Sequence, residues 1–423
     1  MRHITIQECY DSITICETLE KNTITHKEAD ELYNYILAEN LDKDYIVWGR
    51  DTVTFINYVG YIKLSTVAIE ILPKVSINRN QPEFGRKALL NLLSKSGILD
   101  VTYSDLASLH IYKIDLNEII TLLFARKLQK ELTRGPYQEY VYIEENSSAL
   151  KGSLLVKEHI RNIASQTSKV FCRYEEFSMD NTLNRIFNYC VKISLKNIKN
   201  EETIKLLQHS QSYFADLKEV EISNYEIVNY KFNRLNSRFE QVFILAKMIL
   251  MGYSSIGSSG VEKTYSILFK MNEVFEKYIT RLLSMNLEDS IVKYQHSKYR
   301  LLVNEDTNNS IFKLEPDIVI ESNGIESIII DTKWKRISSE YNRHGVKRED
   351  LYQMYAYLTR YPDVDTVILL YPHNENVETE DKKYLESWYL DYDKSKKIRG
   401  YTVDLESEEL TVRCLKEIVR DVE

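Results

Sequence analysis

Three side chains in the stretch LEPDIVIESNGIESIIIDTKWK, residues 314–335, have the types and spacing for phosphodiester hydrolysis: Asp317, Asp331 and Lys333. That reaction needs a cation to stabilise charge on the phosphate oxygens, a nucleophilic water, and a group beside the water to steer its proton. Carboxylates hold such a cation. Magnesium keeps several waters, so one or two carboxylates plus the substrate phosphate are enough. A lysine ammonium orients the attacking water, or deprotonates it provided the site depresses its pKa.

Asp331 and Lys333 lie two apart on a strand pattern and project from the same face. Asn323-Gly324 marks the turn before them. A strict two-residue loop pairs Asp317 with Ile330 and sends Asp331 to the opposite face. A three-residue loop or a bulge sets Asp317 opposite Asp331, within reach of one metal. Convergence of the two carboxylates therefore requires the second arrangement.

A decoy, Pro362-Asp363 followed by Glu380-Asp381-Lys382, fails on context, because HNENVETEDKK has no strand pattern whereas Ser327 to Asp331 reads as a buried strand that ends in charge. In the run DLYQMYAY, Gln353 and Tyr357 stand at i, i+4 and share a helix face. Glu276 borders an apolar stripe of Leu268, Met271, Phe275, Ile279 and Leu282. It reads either as a further metal ligand or as a solvated helix glutamate. Basic residues cluster twice, at Lys333, Lys335, Arg336, Arg343, His344, Lys347 and Arg348, and at Arg126, Lys127, Lys130 and Arg134. Of these, Lys335 and Arg336, with Tyr357, are the candidates for DNA contact or site support. The second cluster reads as a solvated helix face.

The elements that must position these groups fall into three stretches of the 423 residues, and the expected class is α+β multidomain. Residues 1–115 read as a small β-rich domain, with period-two alternation in Thr66 to Ile71 and a helical pattern starting near Lys87. Residues 116–251 read as a helical connector, from apolar residues at three- and four-residue spacing. The Gly/Ser-rich run 252–260 then marks a boundary. Beyond it, 261–423 reads as helix (261–288), strand pair (312–335), helix (346–361) and strand (366–371), a mixed sheet flanked by helices.

Composition narrows the function classes. A hydrophobic fraction of 43% with 28% charged residues is ordinary for a globular chain. No run of about 20 apolar residues and no signal-peptide core is present, so the expectation is a cytoplasmic protein without membrane contact. Five scattered cysteines, with no CxxC spacing, suggest neither a disulfide framework nor a zinc site. A net charge of −8 argues against coating DNA unaided, since non-specific affinity comes from neutralising phosphates. Either DNA is not the ligand, or another chain delivers it.

The order of the Phe275-Glu276-Lys277-Tyr278 helix, Pro316-Asp317, Asp331-Thr332-Lys333 and Asp350-Leu351-Tyr352-Gln353-Met354 resembles the McrC family. Gly60-Tyr61-Ile62 through Lys74, Leu150-Lys151-Gly152, and Tyr174 through Asn181 with Leu183-Asn184-Arg185 resemble further family blocks, so the likeness spans most of the chain. The resemblance implies a C-terminal PD-(D/E)XK nuclease domain, with Asp317, Asp331, Lys333 and Gln353 catalytic and with Asp317, Asp331 and Glu276 toward magnesium or manganese. Gln353 and Tyr357 look like the Q-x-x-x-Y element of RecB-like nucleases. It further implies an McrB-like AAA+ GTPase ring as partner, docked through the N-terminal region, and modified double-stranded DNA as substrate. The missing GxxxxGK[ST] loop fits a chain that borrows its motor. Two rival readings are a catalytically inactive regulator of that GTPase and a stand-alone RecB-like nuclease.

Overall fold

The computed structural model describes all residues except 19, 76–81, 100–113, 219, 221, 254–264, 375, 378–382 and 423. The second half of the Pro362-Asp363 decoy and most of the Gly/Ser run lie outside the described residues. Contacts divide the chain into two compact units, Met1–Leu116 together with Ser255–Glu423, and Asn117–Ser254. The stretches expected as first and third domains thus share one unit. No helix among the described residues is long and apolar enough to cross a membrane.

The link between those two stretches is a strand that the sequence pattern concealed. A helix was expected from 261; instead Tyr265–Lys270 is a strand and the helix runs only over Met271–Asn286. Tyr265, Ile267 and Phe269 are buried in alternation, a period of two rather than 3.6. This strand completes an N-terminal sheet in the order Arg2–Gln7, Val67–Leu72, Tyr58–Lys63, Tyr265–Lys270. Gly60 makes the last pairing possible: it has φ +141°, and a Cβ there would stand 1.9 Å from the Ile267 carbonyl oxygen. A second small sheet pairs Thr23–Ile24, Ile13–Ile15, Thr52–Phe55 and Ile46–Trp48.

The C-terminal sheet has six strands, in the order Ser290–Tyr294, Ile318–Ser322, Ile325–Thr332, Thr366–Pro372, Asp393–Val403, Glu386–Leu390. It is mixed. The Ile325–Thr332 strand runs antiparallel to Ile318–Ser322 and parallel to Thr366–Pro372. On one face Val319, Ile329, Val367, Leu369 and Tyr371 pack with Met354, Tyr357 and Leu358 of the Arg348–Arg360 helix. Asp331 stands two residues beyond Ile329, so the strand's period points it toward this same helix.

The other unit departs from the helical expectation. Helices Leu116–Leu132, Thr182–Asn197, Glu201–Ser212 and Glu240–Tyr253 are present. Between them Glu139–Ser147 pairs antiparallel with Val170–Ser178 over nine residues, and Ser153–Leu154 joins the other edge. Glu139–Ser147 alternates half-buried and exposed residues and Val170–Ser178 is mostly exposed or half-buried, so neither presents the buried apolar face that would give a hydrophobic signal.

Candidate metal centre

The hairpin resolves the register question with both devices at once. Ser322 pairs Ile325 across a two-residue turn, where Asn323 (φ 54°) and Gly324 (φ 80°) take the left-handed conformations that such turns demand. Ile320 then pairs Ile328 rather than Ser327, because a bulge shifts the ladder by one residue. The shifted register, Ile318 with Ile330, carries Asp317 to the level of Asp331.

Asp317 is fixed by its neighbour strand: Oδ2 accepts from the Thr332 backbone N–H and hydroxyl, both at 2.7 Å. Its own carbonyl accepts from the Gln295 N–H at 2.8 Å. Asp331 is fully buried. Lys333 Nζ forms an ion pair with its Oδ2 at 2.5 Å, while Oδ1 has no donor among the described residues. Such an orphan is costly unless something else satisfies it.

Lys333 is held in turn. Its ammonium donates to Gln353 Oε1 at 2.9 Å, and Gln353 Nε2 donates to the Tyr357 hydroxyl at 2.9 Å. Strand end and helix are thereby joined by one chain of side-chain bonds. Glu276 is buried near the same carboxylates, with Oε1 accepting from Gln295 Nε2 at 3.2 Å and Tyr294 also donating to it. That placement is not a solvated helix glutamate.

Burial drives the electrostatics. Desolvation, then the Asp317 charge, pushes the Asp331 carboxyl up to about 7. Glu276 is likewise pushed up to about 7, by burial first and then by Asp317. Burial also raises Asp317, against the lowering effect of its bonds from Thr332. Lys333 goes the other way from a general base: burial opposes its charge, but Asp331, Asp350 and Asp317 outweigh burial and hold its pKa above the ordinary lysine value. With these carboxylates unneutralised, Lys333 is an ammonium suited to orienting an oxygen.

Two sequence candidates are placed differently from the rest. Lys335 Nζ donates to both Asp350 oxygens at 2.8 Å, and Arg336 lies 4.7 Å over the Tyr10 ring. In the helix cluster, Arg126 pairs with Glu202 of the Glu201–Ser212 helix at 2.7 Å and Arg134 with the nearby Glu131 at 3.1 Å. Sequence reasoning missed Asp350, buried and 3.8 Å from Lys333. Its signal was available, three residues before Gln353 on the same helix face. It also missed Thr332, Tyr294 and Gln295, whose roles appear only once the strands are paired.

No three His, Cys, Asp or Glu side chains among the described residues form a ready cage. A magnesium-type ion does not require one, since it keeps much of its water shell. The donors present are hard carboxylate oxygens, one of them orphaned and buried, and they fit such an ion.

Fold and site together define a multidomain α+β protein with an acid–acid–lysine centre on a mixed sheet. Residues 53–372 match the family described as McrBC 5-methylcytosine restriction system component, and the chain belongs to that family. Among solved structures it is similar, at 22% identity and TM-score 0.73, to a chain in the refined half-complex from the tetradecameric assembly of Thermococcus gammatolerans McrB AAA+ hexamers with bound McrC. That likeness covers 98% of this chain and 100% of the other. A second match, at 26% identity and TM-score 0.51, is to the cryo-EM structure of the Thermococcus gammatolerans McrBC complex, over 70% of this chain and 89% of that one. No curated protein matches.

Proposed function

We propose that this chain is the DNA-cleaving subunit of an McrBC-type restriction complex, a magnesium- or manganese-dependent endonuclease of PD-(D/E)XK type working with an McrB-like AAA+ GTPase. The observation that carries this reading is the buried, donorless Oδ1 of Asp331, flanked by Asp317 and by a lysine ammonium. A structural ion pair has no use for an unpaired second oxygen at full burial. Asp317 and Asp331 would hold the metal, with Glu276 beside them. Bound there, a divalent cation supplies positive charge to the phosphate oxygens and makes water nucleophilic near neutral pH.

The chain's own residues do the rest. Lys333, aimed by Gln353 and braced through Tyr357, directs an N–H at the attacking oxygen. Thr332 keeps Asp317 in place by two bonds, so this carboxylate stays pre-organised while Lys333 pairs with Asp331. The acidic net charge favours DNA delivered by a partner. The McrB hexamers bound by McrC in the similar Thermococcus structure supply the class of that partner. DNA containing modified cytosine is the substrate that the family description suggests.

The test is plasmid cleavage by this chain plus its GTPase partner, with and without EDTA. Cleavage should stop on chelation and return with added magnesium; cutting that ignores chelation would remove the metal mechanism.

A pH dependence follows from the raised carboxyl values. Metal ligands must be deprotonated, and Asp331 and Glu276 each hold a proton below about 7. Manganese affinity should therefore weaken as pH falls from 8 to 6, with protons released on binding. Calorimetry in buffers of different ionisation enthalpy reads both quantities, and a pH-independent affinity with no proton release would contradict the assignment.

A further inference from the structure

The strand end that carries Lys333 is gripped by two buried ionisable side chains that the chemistry above does not use. Glu8 follows the Arg2–Gln7 strand and Lys74 follows the Val67–Leu72 strand, neighbours in the N-terminal sheet. Both side chains are out of solvent, at 0% and 3% exposure. Lys74 Nζ donates to the Trp334 carbonyl at 2.9 Å and to the Ile56 carbonyl at 3.2 Å. Glu8 Oε1 accepts from the Trp334 indole N–H at 2.8 Å and from the Lys74 backbone N–H at 3.2 Å. Lys74 Nζ also lies 5.3 Å from the indole centroid, and the indole packs 5.3 Å from Phe275 on the Met271–Asn286 helix.

Trp334 is the residue after Lys333, so its carbonyl and its ring are both held from the N-terminal sheet. The same sheet grips the helix that carries Phe275: Asn57 Oδ1 accepts from the Asn272 N–H at 2.9 Å, and the Asn57 carbonyl accepts from the Met271 N–H at 2.9 Å. Stability alone does not call for the charges, because a buried ion pair is often matched or bettered by apolar residues of similar volume. What the pair does supply is direction, two bonds to the backbone and ring of one residue.

We propose that Glu8 and Lys74 are positioning residues of the nuclease centre, which lock Trp334 and thereby aim Lys333. The inference rests on the nuclease reading above. A shift of about 1 Å in an aiming group costs on the order of 10²-fold in rate, so a loosened clamp lowers turnover while the carboxylates, held by Thr332 and the sheet, keep their metal.

The test compares the wild-type chain, the Glu8→Gln/Lys74→Met double variant and Trp334→Phe, each assembled with the GTPase partner. Melting temperature, manganese affinity and plasmid cleavage over a magnesium series are measured on each. The double variant should fold with a modest fall in melting temperature from the two carbonyls that lose their donor, bind manganese as tightly and show an unchanged magnesium half-saturation, yet cleave about 10–100-fold more slowly at saturation. Trp334→Phe keeps an aromatic ring against Phe275 but loses the Glu8 bond, and should slow cleavage in the same way; it carries the test if the double variant does not fold. Wild-type rates in folded variants would overturn the proposal, and so would a parallel fall in stability, metal affinity and rate, the mark of a merely structural pair. An inert wild-type chain would instead fell the nuclease reading and this inference with it.

Discussion

Asp331→Asn is expected to stop DNA cleavage and to stabilise the protein at the same time. The loss of activity follows from removing a ligand of an ion that supplies several kcal/mol of transition-state stabilisation, which is about 10³-fold in rate. The gain in stability follows from the carboxyl's position. Its folded-state pKa is raised to about 7, mainly by burial and then by Asp317. A raised acid opposes folding when ionised, so its penalty is fully present above about pH 7 and fades as the pH falls toward the unfolded value near 4. The neutral amide removes that penalty at pH 8, for a gain on the order of 1–2 kcal/mol, or a few degrees in melting temperature. The wild-type chain should itself melt higher at pH 6 than at pH 8, and the variant should lose the share of that difference due to Asp331, keeping the shares of Glu276 and Glu8, which burial also raises to about 7. Thermal denaturation at the two pH values checks this; a variant less stable than wild type at pH 8 would show that Asp331 is a structural ion-pair partner of Lys333.

Lys333→Met should lower cleavage by about 10²–10⁴-fold at saturating magnesium, the range for losing a group that steers a proton or an attacking water. Methionine keeps much of the side-chain volume, so the packing beside Gln353 and Tyr357 survives. The wild-type pH profile separates the two roles open to a lysine here. A general base would give a rate that rises toward an alkaline lysine pKa, whereas an ammonium kept charged by Asp331, Asp350 and Asp317 gives no such limb up to pH 9. Single-turnover rates from pH 7 to pH 9 read the difference, and a steep lysine-dependent rise would return Lys333 to the role of base.

Much of the centre was legible in the sequence because its signals are local. The isoleucine run that ends in Asp331-Thr332-Lys333, the Asn323-Gly324 turn, and the Gln353 and Tyr357 spacing each follow from chain geometry within a few residues. The bulge was legible only as a requirement, since its place at Ser327 depends on how two strands settle against each other. Tyr265–Lys270 reads as helix in the sequence because its apolar residues run on into the genuine helical stripe that starts at Met271. The sheet of Glu139–Ser147 and Val170–Ser178 escaped for the opposite reason, as both of its faces carry polar or exposed residues. Glu8 and Lys74 lie more than 250 residues from Trp334 in the chain, and no spacing rule joins them.

In the proposed mechanism Asp317 serves chemistry and not assembly. Its carboxylate is committed to Thr332 and to the charge cluster, and the residue lies in the C-terminal sheet, whereas the family resemblance puts motor coupling in the N-terminal region. The direct measurement is DNA cleavage and GTP hydrolysis on the same preparation of Asp317→Ala chain with its partner. Cleavage should fall by about 10³-fold while stimulation of the GTPase stays at the wild-type level. If a folded Asp317→Ala chain lost both together, the residue would be acting in assembly, and the assignment of the metal centre would be contradicted.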